Sequence, residues 1–212
     1  MKRYHYSRCL PTPPLIKIGV WEFGKFIGVV IFSRGASSNI GKPYRLKQNE
    51  ICELTRVALK KHETPVSRII KCALAVLKKQ SPSLRLIVSY ADSNQNHLGI
   101  IYQASNWIFV GVTKAVYLYR DKQGNQWHSR QVSTTGFNTQ YNRKRRCPKK
   151  IDCEKIYQTP KYKYLFPMNA DMRKIIMPLQ QAFPRKLGGK ALVPTGEGGS
   201  TPTFALNSQG ST

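Results

Sequence analysis

Two apolar runs, "LIKIGVW" and "FIGVVIF", flank the polar break "EFGK", a pattern that predicts a β-hairpin turning near Gly24. The polar, turn-rich "SSNIGKPYRLKQN" reads as a loop, and "ICELTRVAL" as a strand bounded by polar residues. In "ETPVSRIIKCALAVLKK", Val66, Ile69, Ile70, Ala73, Leu74 and Leu77 form a helical stripe. Thr64 is the expected N-cap and Pro65 the first helical residue. "LRLIVSYAD" is the next strand and finishes on Asp92. "SNQNHLGIIYQASNW" opens with capping residues and carries Ile100, Ile101, Ala104 and Trp107 at helical spacing, which predicts a second helix. "IFVGV" follows as a strand, then a hairpin turning at "DKQGN" and a basic loop at about residues 141–150. "KYKYLFPM" reads as a last strand, and "ADMRKIIMPLQQAF" as a short helix broken at Pro178.

A strand–helix–strand passage from Ile51 to Asp92 implies a parallel pair joined by a crossover, while the hairpins imply antiparallel neighbours. The predicted fold is therefore α/β, with a mixed, mostly antiparallel sheet and helices packed on it. One catalytic domain is expected over residues 1–186. From residue 187 the composition turns to Gly, Ser, Thr and Pro, which predicts a flexible low-complexity tail over 187–212.

Charge changes the picture more than any motif. Thirty-five Lys and Arg against ten Asp and Glu give a net +25 over 212 residues. A field of that sign and size attracts polyanions, so nucleic acid is the expected partner. The chain contains no apolar run of membrane-spanning length and no basic amphipathic anchor, so no membrane partner is expected, and "MKRYHYSRCLP" lacks the apolar segment of a signal peptide. The five cysteines are scattered, and Cys147-x5-Cys153 does not have the spacing of a zinc site. A reducing compartment without a disulfide framework follows.

Candidate chemistry collects around the helix that starts near Pro65. Its first amides and its dipole suit an anion or a developing negative charge, and Ser67 adds a hydroxyl. Ser67 could equally satisfy its own helix end. Arg56 lies among apolar neighbours, where a guanidinium needs a partner: Glu53, Asp92 or a bound anion. Asp92 stands at the carboxyl end of a strand, where open sheets gather ligands, although it could instead cap the next helix. Together Asp92, Ser67 and Arg56 are expected to converge in one cleft. Arg143, Lys144, Arg145, Arg146, Lys149 and Lys150 form a phosphate grip outside it, with Tyr141 and Tyr157 flanking.

The segments "HYS…LP", "IGVWEFGKFIGVVIFSRGA", "GKPY", "CELTRVAL…TPVSRII", "LIVSYAD" and "GIIYQASNWIFVG" together resemble the phage Mom family of DNA adenine-modification (methylcarbamoylation) proteins. The likeness runs from about Tyr4 to Gly111 and continues more weakly through "KYKYLFP". That family is similar to the Gcn5-related N-acetyltransferase (GNAT) fold, so the resemblance implies an acetyltransferase-like architecture. It also implies a transferase that converts adenine in DNA to N6-carbamoylmethyladenine and shields phage DNA from restriction, acting in the cytoplasm of the infected bacterial host. Double-stranded DNA is the implied partner, and a homodimer is compatible with it. The residues matching the family's functional positions are His5, Tyr6, Arg56, Ser67 and Asp92. Thr64, Val66, Ser67 and Arg68 are the implied donor-binding residues.

The resemblance leaves the donor open between acetyl-coenzyme A and another acyl or glycyl donor. It offers His5 and Tyr6 to an iron ion, although two ligands do not define a metal site. Ordinary acetyltransferases carry a Gly-rich pyrophosphate loop where this chain has "KKHETPVS", and only four residues precede "HYS", so the N-terminal part of the sheet is expected to be short. Two other readings compete: an acyltransferase acting on amines of RNA or protein, and a non-catalytic nucleic-acid-binding protein on the same fold.

Overall fold

The structure is a computed structural model, and it describes residues 14–35, 37–95, 97–140, 143–187 and 190–192. Strands β1 (Pro14–Glu22) and β2 (Lys25–Ser33) form the expected hairpin. Strand β3 (Ile51–Leu59), helix α1 (Val66–Gln80) and strand β4 (Leu86–Ala91) follow. A short helix α2 (Ile100–Gln103) leads to β5 (Ile108–Val112). Next come β6 (Val116–Arg120), β7 (Gln126–His128), β8 (Phe137–Gln140), β9 (Arg143–Arg146) and β10 (Glu154–Gln158). Strand β11 (Tyr162–Pro167) and helix α3 (Ala170–Ile176) precede the small hairpin β12 (Arg185–Leu187) and β13 (Lys190–Leu192). That hairpin occupies the start of the expected tail; residues 193–212 lie outside the described residues.

The chain divides into two compact units. The first comprises residues 1–91, 98–111 and 163–212, and the second residues 92–97 and 112–162. A six-stranded sheet in the order β1-β2-β3-β4-β11-β5 forms the first. Its β1–β2 and β2–β3 pairs are antiparallel and its β3–β4 pair is parallel, so the sheet is mixed as expected. All but one residue of β4 are buried, which fits a strand interior to the sheet and covered on both faces. Ile69, Ile70, Ala73, Leu74 and Leu77 of α1 are buried, the stripe read from the sequence. A second cluster gathers Ile51, Leu86, Val88, Ile108 and Leu165 with Met172 and Ile176 of α3.

Two of the three described helices are shorter than the sequence suggests. Among the described residues only α1 is long. The helix expected from residue 93 shrinks to the four residues of α2, because Gly99 precedes it with φ +77 and a Cβ there would collide with the Tyr164 ring. Past its other end at Gln103 the chain turns away at Asn106, whose φ is +61. The apolar residues expected to form a stripe split accordingly: Ile100 is exposed, while Trp107 is buried against Phe166 and Tyr102. Among the described residues no helix is long and apolar enough to cross a membrane.

The second unit is a three-stranded sheet, β10-β6-β7, with the hairpin β8–β9 beside it in the chain. The β6–β7 turn is tied by Asp121, whose carboxylate accepts from the Asn125 N–H at 2.8 Å and the Trp127 indole N–H at 2.8 Å.

Candidate functional site

The parallel ladder between β3 and β4 is short. Ile51 pairs with Leu86, Cys52 with Ile87 and Glu53 with Val88, and there it ends, although β3 continues to Leu59 and β4 to Ala91. Beyond that point the Ser89 hydroxyl, not a backbone amide, meets β3: it donates to the Leu54 carbonyl at 2.7 Å, and it lies 2.8 Å from the Tyr102 hydroxyl. β2 stays paired with β3 as far as Leu59. The sheet therefore opens on one side of β3 only, toward β4.

Arg56 follows this parting by two residues beyond Leu54. It is half-buried, and its guanidinium donates to the Thr55 carbonyl at 2.7 Å. The Thr55 hydroxyl is 2.6 Å from that of Ser33 on β2, which anchors the strand where its other edge is released. Tyr90 on β4 is also half-buried. Burial, then the charge of Glu53, pushes its phenol up from 10.0 to about 12, so it stays a neutral hydrogen-bonding group at physiological pH.

Between β3 and α1 the chain makes an anion seat, and the protein occupies part of it. The Glu22 carboxylate accepts the backbone N–H of Thr64 at 2.7 Å and of Glu63 at 3.0 Å. The Thr64 hydroxyl and these amides hold the Glu22 carboxyl below its usual range. This corrects the expected cap. Pro65, not Thr64, holds the capping position of α1, because the Thr64 hydroxyl turns to Glu22, and no side chain caps the helix amides. Ser67 lies half-buried in the first turn, a place compatible with both readings of its hydroxyl, contact with an anion and with its own helix end. The first turn carries no acidic residue and the last carries Lys78 and Lys79, so the dipole end at Val66 and Ser67 stays electropositive.

The expected site residues separate as follows. Arg56, Thr64, Val66, Ser67 and Arg68 share one strand–turn–helix passage of the first unit. Thr64 and Arg68 line a cavity of about 300 Å³ between α1 and Ile18–Glu22 of β1. Asp92, one residue past β4, is buried, and its carbonyl closes the next turn by accepting from Gln95 and His97 N–H. It does not cap α2, whose capping residue is Gly99. Asp92 falls in the second unit. His5 and Tyr6 lie outside the described residues, as does Tyr141. Arg143, Lys144, Arg145 and Arg146 form strand β9, not a loop, and all four are exposed. The cause is the hairpin itself: β8 and β9 form a two-stranded ribbon, in which neither face need be buried. Lys144 Nζ stands 4.9 Å from the centre of the Phe137 ring. Lys149 and Lys150 are exposed beside it, the latter bonded through its N–H to the Ser133 carbonyl.

The sequence does not single out Glu22 or Ser89. Glu22 has only its place in the hairpin break "EFGK" as a signal; Ser89 has a lone hydroxyl inside an apolar strand.

Two candidate groups can be tested against these residues. A pyrophosphate, as in acetyl-coenzyme A, does not fit the Glu63–Thr64 amides, because a carboxylate of the same sign already holds them. An iron ion has no support among the described residues, where no three His, Cys, Asp or Glu side chains gather to hold a metal.

Comparison with known proteins gives two findings. The family model of the Mom protein family matches residues 1–185. The methylcarbamoylase mom of Escherichia phage Mu is 28% identical over 130 residues, covering 58% of this chain and 52% of that protein. The chain thus spans about half the length of the curated relative it matches.

Proposed function

The chain belongs to the Mom protein family, and from that premise we propose that it is a DNA modification enzyme that converts adenine to N6-carbamoylmethyladenine and so protects phage DNA from host restriction. The observation that carries the reading is the parting of β3 from β4 immediately before Arg56, an opening in the sheet next to an uncapped helix start. The order hairpin, strand, helix, strand, short helix, strand supports an acetyltransferase-like architecture. The net charge of +25 supports double-stranded DNA as the partner.

The chemistry requires orientation and charge stabilisation. The lone pair on the exocyclic nitrogen of adenine is delocalised into the ring, which makes the amine a poor nucleophile. Holding it in line with the donor carbon recovers much of the barrier. Val66 and Ser67 supply backbone N–H groups and a hydroxyl to the donor's developing negative charge, and Arg56 supplies a fixed positive charge. The resemblance to the family, rather than any placement beside Arg56 or Ser67, assigns Asp92 the role of the carboxylate that accepts the amine's proton as the nitrogen–carbon bond forms. The donor's leaving group departs with the electron pair of its bond to the transferred carbon. The Glu22 carboxylate argues against a pyrophosphate on the Glu63 and Thr64 amides, and the donor proposed for Val66 and Ser67 is acetyl-coenzyme A or another acyl or glycyl compound. A glycyl group has the atoms of the carbamoylmethyl group but reaches N6 through its carbonyl carbon, so a rearrangement that moves the bond to the methylene must follow its transfer. Methylcarbamoylation is the activity named for the phage Mu relative, and it comes to this chain as part of the proposal.

Plasmid recovered from cells expressing the chain tests the reading. It should resist restriction enzymes whose sites contain adenine while remaining sensitive to enzymes whose sites contain none. Equal digestion by both classes would reject it.

A further inference from the structure

The β1–β2 hairpin turns through two residues, since Glu22 pairs with Lys25 and Trp21 with Phe26. Both central residues have positive φ, +49 at Phe23 and +75 at Gly24, the signature of a type I′ turn. Gly24 suits its place, but the first position favours Asn, Asp or Gly. A phenylalanine there presses its Cβ against the backbone and is a steric outlier. Nor does burial offset the strain, because Phe23 is 83% exposed. Backbone and solvent both argue against this side chain, so folding does not account for it.

Its neighbours share the anomaly. Trp21 is 62% and Phe26 45% exposed, and their rings meet edge to face at 5.2 Å. Bare backbone seats the indole, since a Cβ on Gly19 would collide with the Trp21 ring. The register of the hairpin shifts between Val20 and Trp21, a bulge that re-aims the residues beyond it. One cation is placed at these rings, Lys60 Nζ at 5.8 Å from the centre of Phe26, and Lys25 and Lys61 are exposed nearby in the chain. The Glu22 carboxylate is engaged by the Glu63 and Thr64 amides, which leaves Glu63 as the exposed acid of this corner.

We propose that this hairpin tip is a wedge for duplex DNA. Phe23 enters between stacked base pairs, Trp21 and Phe26 cover the opened step, and the lysines grip the flanking phosphates. The inference rests on the DNA-modifying reading and deepens it: drawing an adenine out of the stack leaves a gap that an apolar side chain can fill. Charge selects this occupant, because a second copy of a chain at +25 would be repelled, whereas a polyanion is attracted.

The test is relaxation of closed circular plasmid by a topoisomerase in the presence of the protein, followed by removal of the protein and separation of topoisomers. A wedge unwinds the duplex, so wild type should shift the distribution. Phe23→Asn installs the Asn-Gly pair this turn prefers, so the variant should melt at the same temperature or higher. It should bind linear duplex with an unchanged salt dependence and lose the topoisomer shift, whereas Phe23→Trp should keep it. The proposal is overturned if Phe23→Asn still shifts the topoisomers, or if wild type binds duplex without shifting them. It is also overturned if sedimentation finds a wild-type dimer that Phe23→Asn dissolves. In those cases the DNA-modifying reading survives. A wild-type protein that fails to bind duplex at all sinks both.

Discussion

The Glu22 carboxylate, at the end of β1, accepts the Thr64 N–H at 2.7 Å, just before α1 begins. With the Glu63 N–H, 3.0 Å from the same carboxylate, this hydrogen bond joins the hairpin to the strand–helix junction across 42 positions of sequence. It also decides which anion that junction can hold. Glu22→Ala should lower the melting temperature at neutral pH by a few degrees. The difference has a defined sign with pH. The fold holds this carboxyl below 4.5, so its contribution is present above pH 4.5 and is lost as pH falls through the lowered value. Melting curves of the two proteins should therefore converge in acid. A constant gap down to about pH 3 would show that Glu22 acts by packing alone.

Ser67→Ala separates chemistry from stability. The residue is half-buried and the N-cap is Pro65, so its loss should cost at most about 1 kcal/mol even where its hydroxyl satisfies the helix end. If its hydroxyl serves a developing charge, modification should fall by about a hundredfold. Activity that declines only in step with stability would remove Ser67 from the mechanism.

How much of the molecule is legible in the sequence varies with the residues that define each element. β3 and α1 can be read closely, because their apolar positions face a core and keep a clean period. The helix after Asp92 cannot, since Gly99 takes its conformation under a ring from Tyr164, far along the chain on β11. β9 and β10 escape for a different reason: Arg143–Arg146 and Glu154–Gln158 bury little and so show no alternation of apolar and polar residues. Arg56 and Ser67 stand out as polar groups beside apolar runs. Glu22 does not, because its partners lie on another element and charge alone marks no partner.

Cys52 predicts an alkaline limit. It is fully buried, and burial pushes its thiol from 9.0 up to about 12. The unfolded chain therefore ionises this thiol first, and the stability it contributes is complete below pH 9 and declines as pH rises toward 12. The expected slope is about 1.4 kcal/mol per pH unit for one proton. Urea unfolding between about pH 8 and 10.5 should show Cys52→Ala, less stable at the outset, losing stability less steeply than wild type. Parallel slopes would mean that the thiol is not the group responsible.

The exposed β9 strand carries a prediction about affinity. Phosphate contacts set binding strength without choosing sequence. Replacing Arg143, Lys144, Arg145 and Arg146 by Ala should weaken binding to all duplexes alike. It should also flatten the plot of log affinity against log salt by up to about 0.9 for each phosphate these residues neutralise in wild type. An unchanged slope would place the grip elsewhere, among residues such as Lys42, Arg45, Lys60 and Lys61.

The central claim is that this chain alters adenine in DNA through a site that needs Asp92. The direct measurement is mass spectrometry of nucleosides from enzymatically digested DNA, taken from cells expressing wild type or Asp92→Asn, a change that keeps the side chain's shape and removes its charge. The account predicts a deoxyadenosine derivative heavier by a carbamoylmethyl group with wild type, and unmodified deoxyadenosine alone with a folded Asp92→Asn protein. Unmodified DNA from both, or the same modified nucleoside from both, would contradict it.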